Sequence, residues 1–144
     1  MTYYIFNLAP GDGPRAAELL RARRLDVCAE EPHRDALAPG DLVLVYLAAP
    51  ERTFIARAEL GPAVPGGVSL AHVEEWDPPV PMSAVLSRID RSAGARADFE
   101  VGVVRITVDE YETALAVAAE RAGASVADGD SRHRRHRGGR TGRV

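Results

Sequence analysis

Apolar residues along this chain follow three patterns, and each predicts a different element. Asp41–Leu47 is almost continuously apolar with β-branched and aromatic members, as in a strand buried on both faces. Thr53–Leu60 alternates instead, with Phe54, Ala56, Ala58 and Leu60 on one side and Ile55, Arg57 and Glu59 on the other. Between them Ala48–Arg52 breaks the pattern, and Pro50 cannot donate to a central ladder. The two runs therefore predict a β-hairpin with a five-residue connection, entered through the turn signal Gly40-Asp41. Thr2–Leu8 is rich in strand formers and stops at Ala9-Pro10-Gly11-Asp12-Gly13. Gly61–Gly67 is expected as a loop. Val68–Trp76 is expected as a strand with Val68, Leu70, His72, Glu74 and Trp76 on one face, ended by the proline cluster Asp77–Pro81. A closing strand is expected over Phe99–Ile106, after a polar loop at Asp90–Asp98.

Helical spacing appears in three places. Pro14–Arg24 carries Ala16, Leu19, Leu20 and the stem of Arg23 on one stripe, with basic residues in its last turn. Met82–Ile89 groups Val85, Leu86 and Ile89. Thr107-Val108-Asp109-Glu110 matches a capping box, opening a helix to about Ala122 with Gly123 placed as its end. Tyr111, Leu115, Ala118 and Ala119 are its expected buried face. Leu25–Cys28 reads as a short extended piece, and Pro32–Asp35 as one helical turn. Strands broken by short helices, without a βαβ repeat, give an α+β class: a mixed, largely antiparallel barrel with helices at its rim.

Composition then narrows the picture. The 144 residues suit one domain, expected over residues 1–124, and no apolar run reaches the ~18 residues of a membrane span. The single cysteine, Cys28, excludes an internal disulfide, and with no signal-peptide layout at the start the expected location is cytoplasmic. Charge is unevenly spread. Arg132, Arg134, Arg135, Arg137, Arg140 and Arg143 fall in a stretch without acids; removing these six from the total of 18 basic residues leaves 12 against 21 acids, a formal −9. Residues 125–144 are expected to be a disordered tail, with the arginines as an electrostatic contact to nucleic acid. The acidic body argues against broad phosphate contact.

Three stretches carry a resemblance to a known family. They are Tyr3-Tyr-Ile-Phe-Asn-Leu-Ala-Pro10, the run Leu37-x-x-Gly40-Asp41-Leu-Val-Leu-Val-Tyr46, and the following strand Phe54–Leu60. Together they are similar to the first half of PUA-like domains of the EVE type, the group related to YTH readers of modified bases. The resemblance implies a non-catalytic module without cofactor that holds a flipped-out base in an aromatic-edged pocket. Its implied partners are DNA or RNA, with restriction, defence or RNA-processing machinery around it. Asn7 and Tyr46 fall at the family's polar and tyrosine positions. Leu47-Ala48-Ala49 stand where many members have a histidine and a serine.

The candidate ligand-binding residues are Asn7, Tyr46, Trp76 and Tyr4. Trp76, the only tryptophan, offers a stacking wall, and the amide of Asn7 both donates to and accepts from a base edge. Against these stand the ordinary roles of a core aromatic and a turn asparagine. Cys28, His33 and Asp35 have the residue types of a thiol site, and His72 with Glu74 would be half a metal site, but neither spacing is specific. Gly11-Asp12-Gly13 lacks the remaining glycines and the lysine of a phosphate loop. A small-ligand or protein-interaction module on the same barrel is the alternative reading.

Overall fold

The computed structural model describes residues 1–8, 13–89 and 102–136, except for the side chains of 13, 14 and 124–136. In chain order the elements are β1 (Tyr3–Leu8), α1 (Gly13–Ala22), β2 (Arg24–Asp26), a 3-10 turn (Arg34–Ala36), β3 (Leu42–Leu47) and β4 (Thr53–Val64). They are followed by β5 (Gly67–Pro81), α2 (Met82–Leu86), β6 (Val103–Ile106) and α3 (Val108–His136). One curled six-stranded sheet has the order β2-β5-β4-β3-β1-β6. Only the pairing of β1 with β3 is parallel; the others are antiparallel. The expected mixed, largely antiparallel sheet with helices at its rim is present, as a half-barrel.

The central hairpin forms as its pattern predicts. Alternate residues of β3 enter two separate cores: Val43 and Val45 join α1 and β2 on one face, while Leu44 and Tyr46 join α2 and α3 on the other. Both faces of the strand are thus covered, which is why its sequence is continuously apolar. The first core takes Ala16, Leu19 and Leu20 from α1. Arg23 is exposed rather than part of that stripe, because its backbone turns left-handed (φ 57°) to lead the chain into β2.

Three expectations change. Phe54 does not share a face with Ala56: Tyr46 pairs with Phe54 and Val45 with Ala56, so Ile55 is an extra, bulged residue that flips Phe54 into the second core. Gly61–Gly67 is not a loop but mostly the arm of a long β4–β5 hairpin, turned at Pro65-Gly66. Asp77–Pro81 does not end β5, since the register resumes at Val80 opposite Phe54 after the prolines. Prolines survive there because, among the described residues, this part of β5 is paired on the β4 side only.

The capping box at α3 forms in full. Glu110 N–H donates to Thr107 Oγ1 at 3.1 Å and Thr107 N–H donates to Glu110 Oε1 at 2.8 Å. The buried stripe of this helix is Tyr111, Ala114 and Val117, rotated from the expected one. The helix passes through Gly123 without stopping and continues to His136. The expected loop at 90–98 and the tail beyond 136 lie outside the described residues.

Asp41 joins the start of the fold to its centre. Though charged, it is 6 % exposed. Its Oδ1 accepts from Thr2 N–H at 3.0 Å and its Oδ2 from Ala38 N–H at 3.1 Å, while its own carbonyl accepts from Leu60 N–H at 2.7 Å. Gly40, at φ 95°, makes the turn in front of it and donates to Leu60 O. Replacing Asp41 by Ala leaves two half-buried N–H groups without their acceptors. Denaturant unfolding is expected to show a loss of roughly 2–4 kcal/mol, with Asp41→Asn losing about half as much. An unchanged midpoint for Asp41→Ala would refute the joint.

Candidate functional site

A groove opens where the far half of β5 passes beneath α3. Arg57, Glu74, Trp76, Pro78 and the α3 residues Leu115 and Ala118 are among its walls, and its volume is about 290 Å³. Two features of the sequence create it. On α3, Leu115, Ala118, Ala119 and Ala122 follow one another at helical spacing beside the buried stripe, and they line the groove with short side chains. On β5, no strand among the described residues pairs beyond the stretch opposite β2, so within that set the edge from about Ala71 onward has no strand beside it. Trp76 belongs to the second core and is 9 % exposed, so most of its indole is packed and one strip faces the groove.

Beneath the helix lies a polar cluster. Arg57 and Glu74 are directly opposite in register, and Arg57 Nε donates to Glu74 Oε1 at 2.6 Å. Glu74 raises the Arg57 pKa, and a hydrogen bond with the Tyr111 hydroxyl adds to that. Tyr111 is buried, which pushes its phenol above the usual value, although Arg57 pulls it part of the way back. Its ring also packs on Tyr3 at 5.0 Å between centroids. A smaller cavity of about 150 Å³ continues on the other side of Arg57, edged by Glu59, His72 and Tyr111. Arg57 is therefore the wall shared by the two cavities, and Glu74 holds it in place. Between the α2 region and α3, Arg88 makes two hydrogen bonds to the Glu120 carboxylate, at 2.8 and 2.5 Å. Both side chains are about half exposed, so the pair contributes little to stability.

The sequence-derived candidates separate. Tyr46 has no exposed surface; its ring lies 4.9 Å from that of Phe54, in the same core as Trp76. Tyr4 is buried in the first core, on the opposite face, with the His33 ring at 6.0 Å. Burial, and then the charge of Asp41, raise the pKa of Tyr4. Neither ring leaves a face for a ligand to stack on. Asn7 Nδ2 and its backbone N–H both donate to Gly102 O at 2.9 Å, so this residue ties β1 to the approach of β6. Of the four, Trp76 lines a described cavity. Arg132, Arg134 and Arg135 fall on the continuation of α3, and Arg137 lies outside the described residues.

The weaker candidates find other partners. The Cys28 thiol donates to Glu30 Oε1 at 2.6 Å, and that bond, ahead of the residue's own N–H, lowers the Glu30 pKa. His72 and Glu74 do not form half a metal site: Glu74 is engaged by Arg57, and His72 has a left-handed backbone (φ 51°) at a register shift between β4 and β5. Among the described residues no three His, Cys, Asp or Glu side chains converge as metal ligands. No described helix is long and apolar enough to cross a membrane. Sequence reasoning missed Arg57 and Pro78, although Arg57, a charge flanked by two alanines within an alternating strand, was a visible signal.

No protein-family model matches the sequence, and no curated protein matches it. Solved structures do. A hypothetical protein from Leishmania major superposes with a TM-score of 0.67 at 15% identity, covering 85% of this chain and 97% of that one. Rpa0253 from Rhodopseudomonas palustris gives 0.59 at 14%, covering 83% and 92%. A structure described as ASCH from Zymomonas mobilis gives 0.56 at 12%, covering 81% and 95%. ASCH domains belong to the PUA-like superfamily, and this chain has a PUA-like fold.

The tyrosines supply a pH test of the cluster. Tyr4 and Tyr111 both have pKa values raised above 10.0 in the folded state. A phenol that holds its proton longer when folded stabilises fully below the unfolded value, and that contribution is lost as pH rises through the folded one. Phenolate absorbance during an alkaline titration should therefore show two late tyrosines, with stability falling above pH ~10. Tyr111→Phe should remove one late step; both steps persisting would refute the assignment.

Proposed function

We propose that this domain is a non-catalytic nucleic-acid-binding module of the EVE type, acting in the cytoplasm, which takes a single base, methylated or otherwise modified, into the groove at Trp76. The observation that carries the reading is that the chain's only tryptophan lines a groove of about 290 Å³ on a PUA-like fold. A base on the exposed strip of the indole gains stacking energy, and the unpaired edge of β5 supplies N–H and C=O groups to its rim. Pro78 and the short side chains of α3 bound the space. The Arg57 charge is already engaged by Glu74, so the groove itself offers little to a phosphate.

Phosphate affinity falls to the arginines instead. α3 lines the groove as far as Ala122 and continues toward Arg132, ten residues or about 15 Å further along the helix axis. Arg132, Arg134, Arg135 and Arg137 would follow the strand whose base is held at Trp76. Tyr46 then has a supporting role, filling the core in which Trp76 is set. DNA or RNA is the partner, with restriction, defence or RNA-processing machinery as the setting.

Trp76 is its own reporter. Titrating methylated and unmodified single-stranded oligonucleotides should quench its fluorescence, with tighter binding to one class. Trp76→Leu, checked for folding by circular dichroism, should weaken binding by roughly 5- to 150-fold, the stacking contribution of about 1–3 kcal/mol. Replacing the four tail arginines by glutamine should flatten the salt dependence and leave the preference between oligonucleotides intact. Equal affinity for both oligonucleotides, wholly dependent on the tail, would reject the pocket.

A further inference from the structure

A third cavity lies on the other side of the sheet, away from Trp76, and nothing in the proposed base reading uses it. It exists because β4 is twice as long as β3: twelve residues against six. The β3 register ends at Leu42 opposite Glu59, so Gly61–Val64 of β4 project beyond it as an arm paired to the start of β5, which carries β2 on its other edge. The segment from Arg34 to Pro39 arches over that arm without pairing to it, leaving a space of about 320 Å³. This is within the size range of small-molecule sites.

Its lining has a definite chemistry. Val27, Leu37, Val64 and Val68 are among the walls, and among the described residues no aromatic ring lines it. Val27 and Val68 belong to the first core, so the floor is rigid. Two charged residues complete the lining, Arg34 and Asp35. Arg34 Nη1 donates to Val27 O at 3.0 Å, which fixes the guanidinium, and among the described residues no other hydrogen bond engages its N–H groups. Its charge is felt by Glu30, but among the described residues neither Arg34 nor Asp35 makes an ion pair within 4.0 Å.

We infer that this cavity is a binding site for a small zwitterion with a branched aliphatic body, that is, a free aliphatic α-amino acid. The match has three parts. An aliphatic wall without a ring favours a branched alkyl group over a base or an aromatic side chain. The guanidinium takes the carboxylate in a charge-assisted, forked contact. The Asp35 carboxylate takes the ammonium, so the ligand's two charges meet two opposite charges and neither is left unpaired. A net-neutral pair at the rim also disfavours a simple anion or a simple amine, each of which would satisfy one side chain and oppose the other.

Calorimetric titration with L-leucine tests the assignment, alongside 4-methylpentanoate, which lacks the ammonium, and isoamylamine, which lacks the carboxylate. Leucine is expected to bind, and each analogue to bind at least about tenfold more weakly. Arg34→Gln and Asp35→Asn are exposed substitutions that should each weaken leucine by a similar factor, and Asp35→Asn should narrow the gap to 4-methylpentanoate. Ala63→Phe, placed on the exposed arm to fill the space, should abolish binding with the circular dichroism spectrum unchanged. The inference is overturned if leucine produces no heat at millimolar concentration, if the three compounds bind equally, or if both charge substitutions leave leucine affinity unchanged.

Discussion

The buried carboxylate of Asp41 is the interaction on which the fold depends. It accepts hydrogen bonds from the chain's second residue and from the turn before β3, while its backbone carbonyl engages the end of the buried run of β4. Three segments distant in sequence thus meet at one residue. Backbone N–H groups at such a junction cannot reach a sheet partner, and leaving them unbonded where water is scarce costs more than a bond contributes elsewhere. With this joint in place, β1 enters parallel to β3 in a register that runs from Tyr3 opposite Leu42 to Leu8 opposite Leu47. Both cores follow from that register, because each successive residue of the two strands is assigned to one side or the other.

A second constraint comes from the irregularities of β4 and β5. A regular pair would keep Phe54 with Ala56 and Trp76 with Val68, all on one face. The bulge at Ile55 and the left-handed backbone at His72, at a register shift, reverse that alternation along the way. One end of the hairpin therefore serves the first core and the other end the second. The groove beneath α3 is a consequence of this change of face: without it Trp76 would lie on the side of α1.

The electrostatics of the molecule divide in the same way. The body carries an excess of acids and settles much of its own charge locally, as Arg57 does with Glu74 and Arg88 with Glu120. Arg132, Arg134 and Arg135 fall on the continuation of a helix whose earlier turns are built for packing. For the proposed function, shape selection in a nearly neutral groove and charge attraction in a separate segment would be compatible tasks, because long-range attraction does not require the pocket itself to be positive.

The sequence by itself determined the elements and their kinds. The continuous apolar run of β3, the alternation of β4, the stripe Ala16-Leu19-Leu20 and the capping box at Thr107 are local patterns, and local patterns report local conformation and which face is dry. The residues that line cavities were legible only in part. Trp76 stood out by its chemistry, but Tyr46, equally aromatic, proved to be sealed in the core, and Asn7 proved to hold β1 to the approach of β6. Gly61–Gly67 and Asp77–Pro81 read as breaks because glycine and proline disfavour a central strand, whereas here the first is the arm of a projecting hairpin and the second lies on an open edge. Whether a break ends a strand depends on what lies beside it. Neighbours across the sheet are distant along the chain, so only the tertiary structure decided the bulge that moved Phe54, the edge that tolerates the prolines and the overhang that leaves a space beside Arg34 and Asp35.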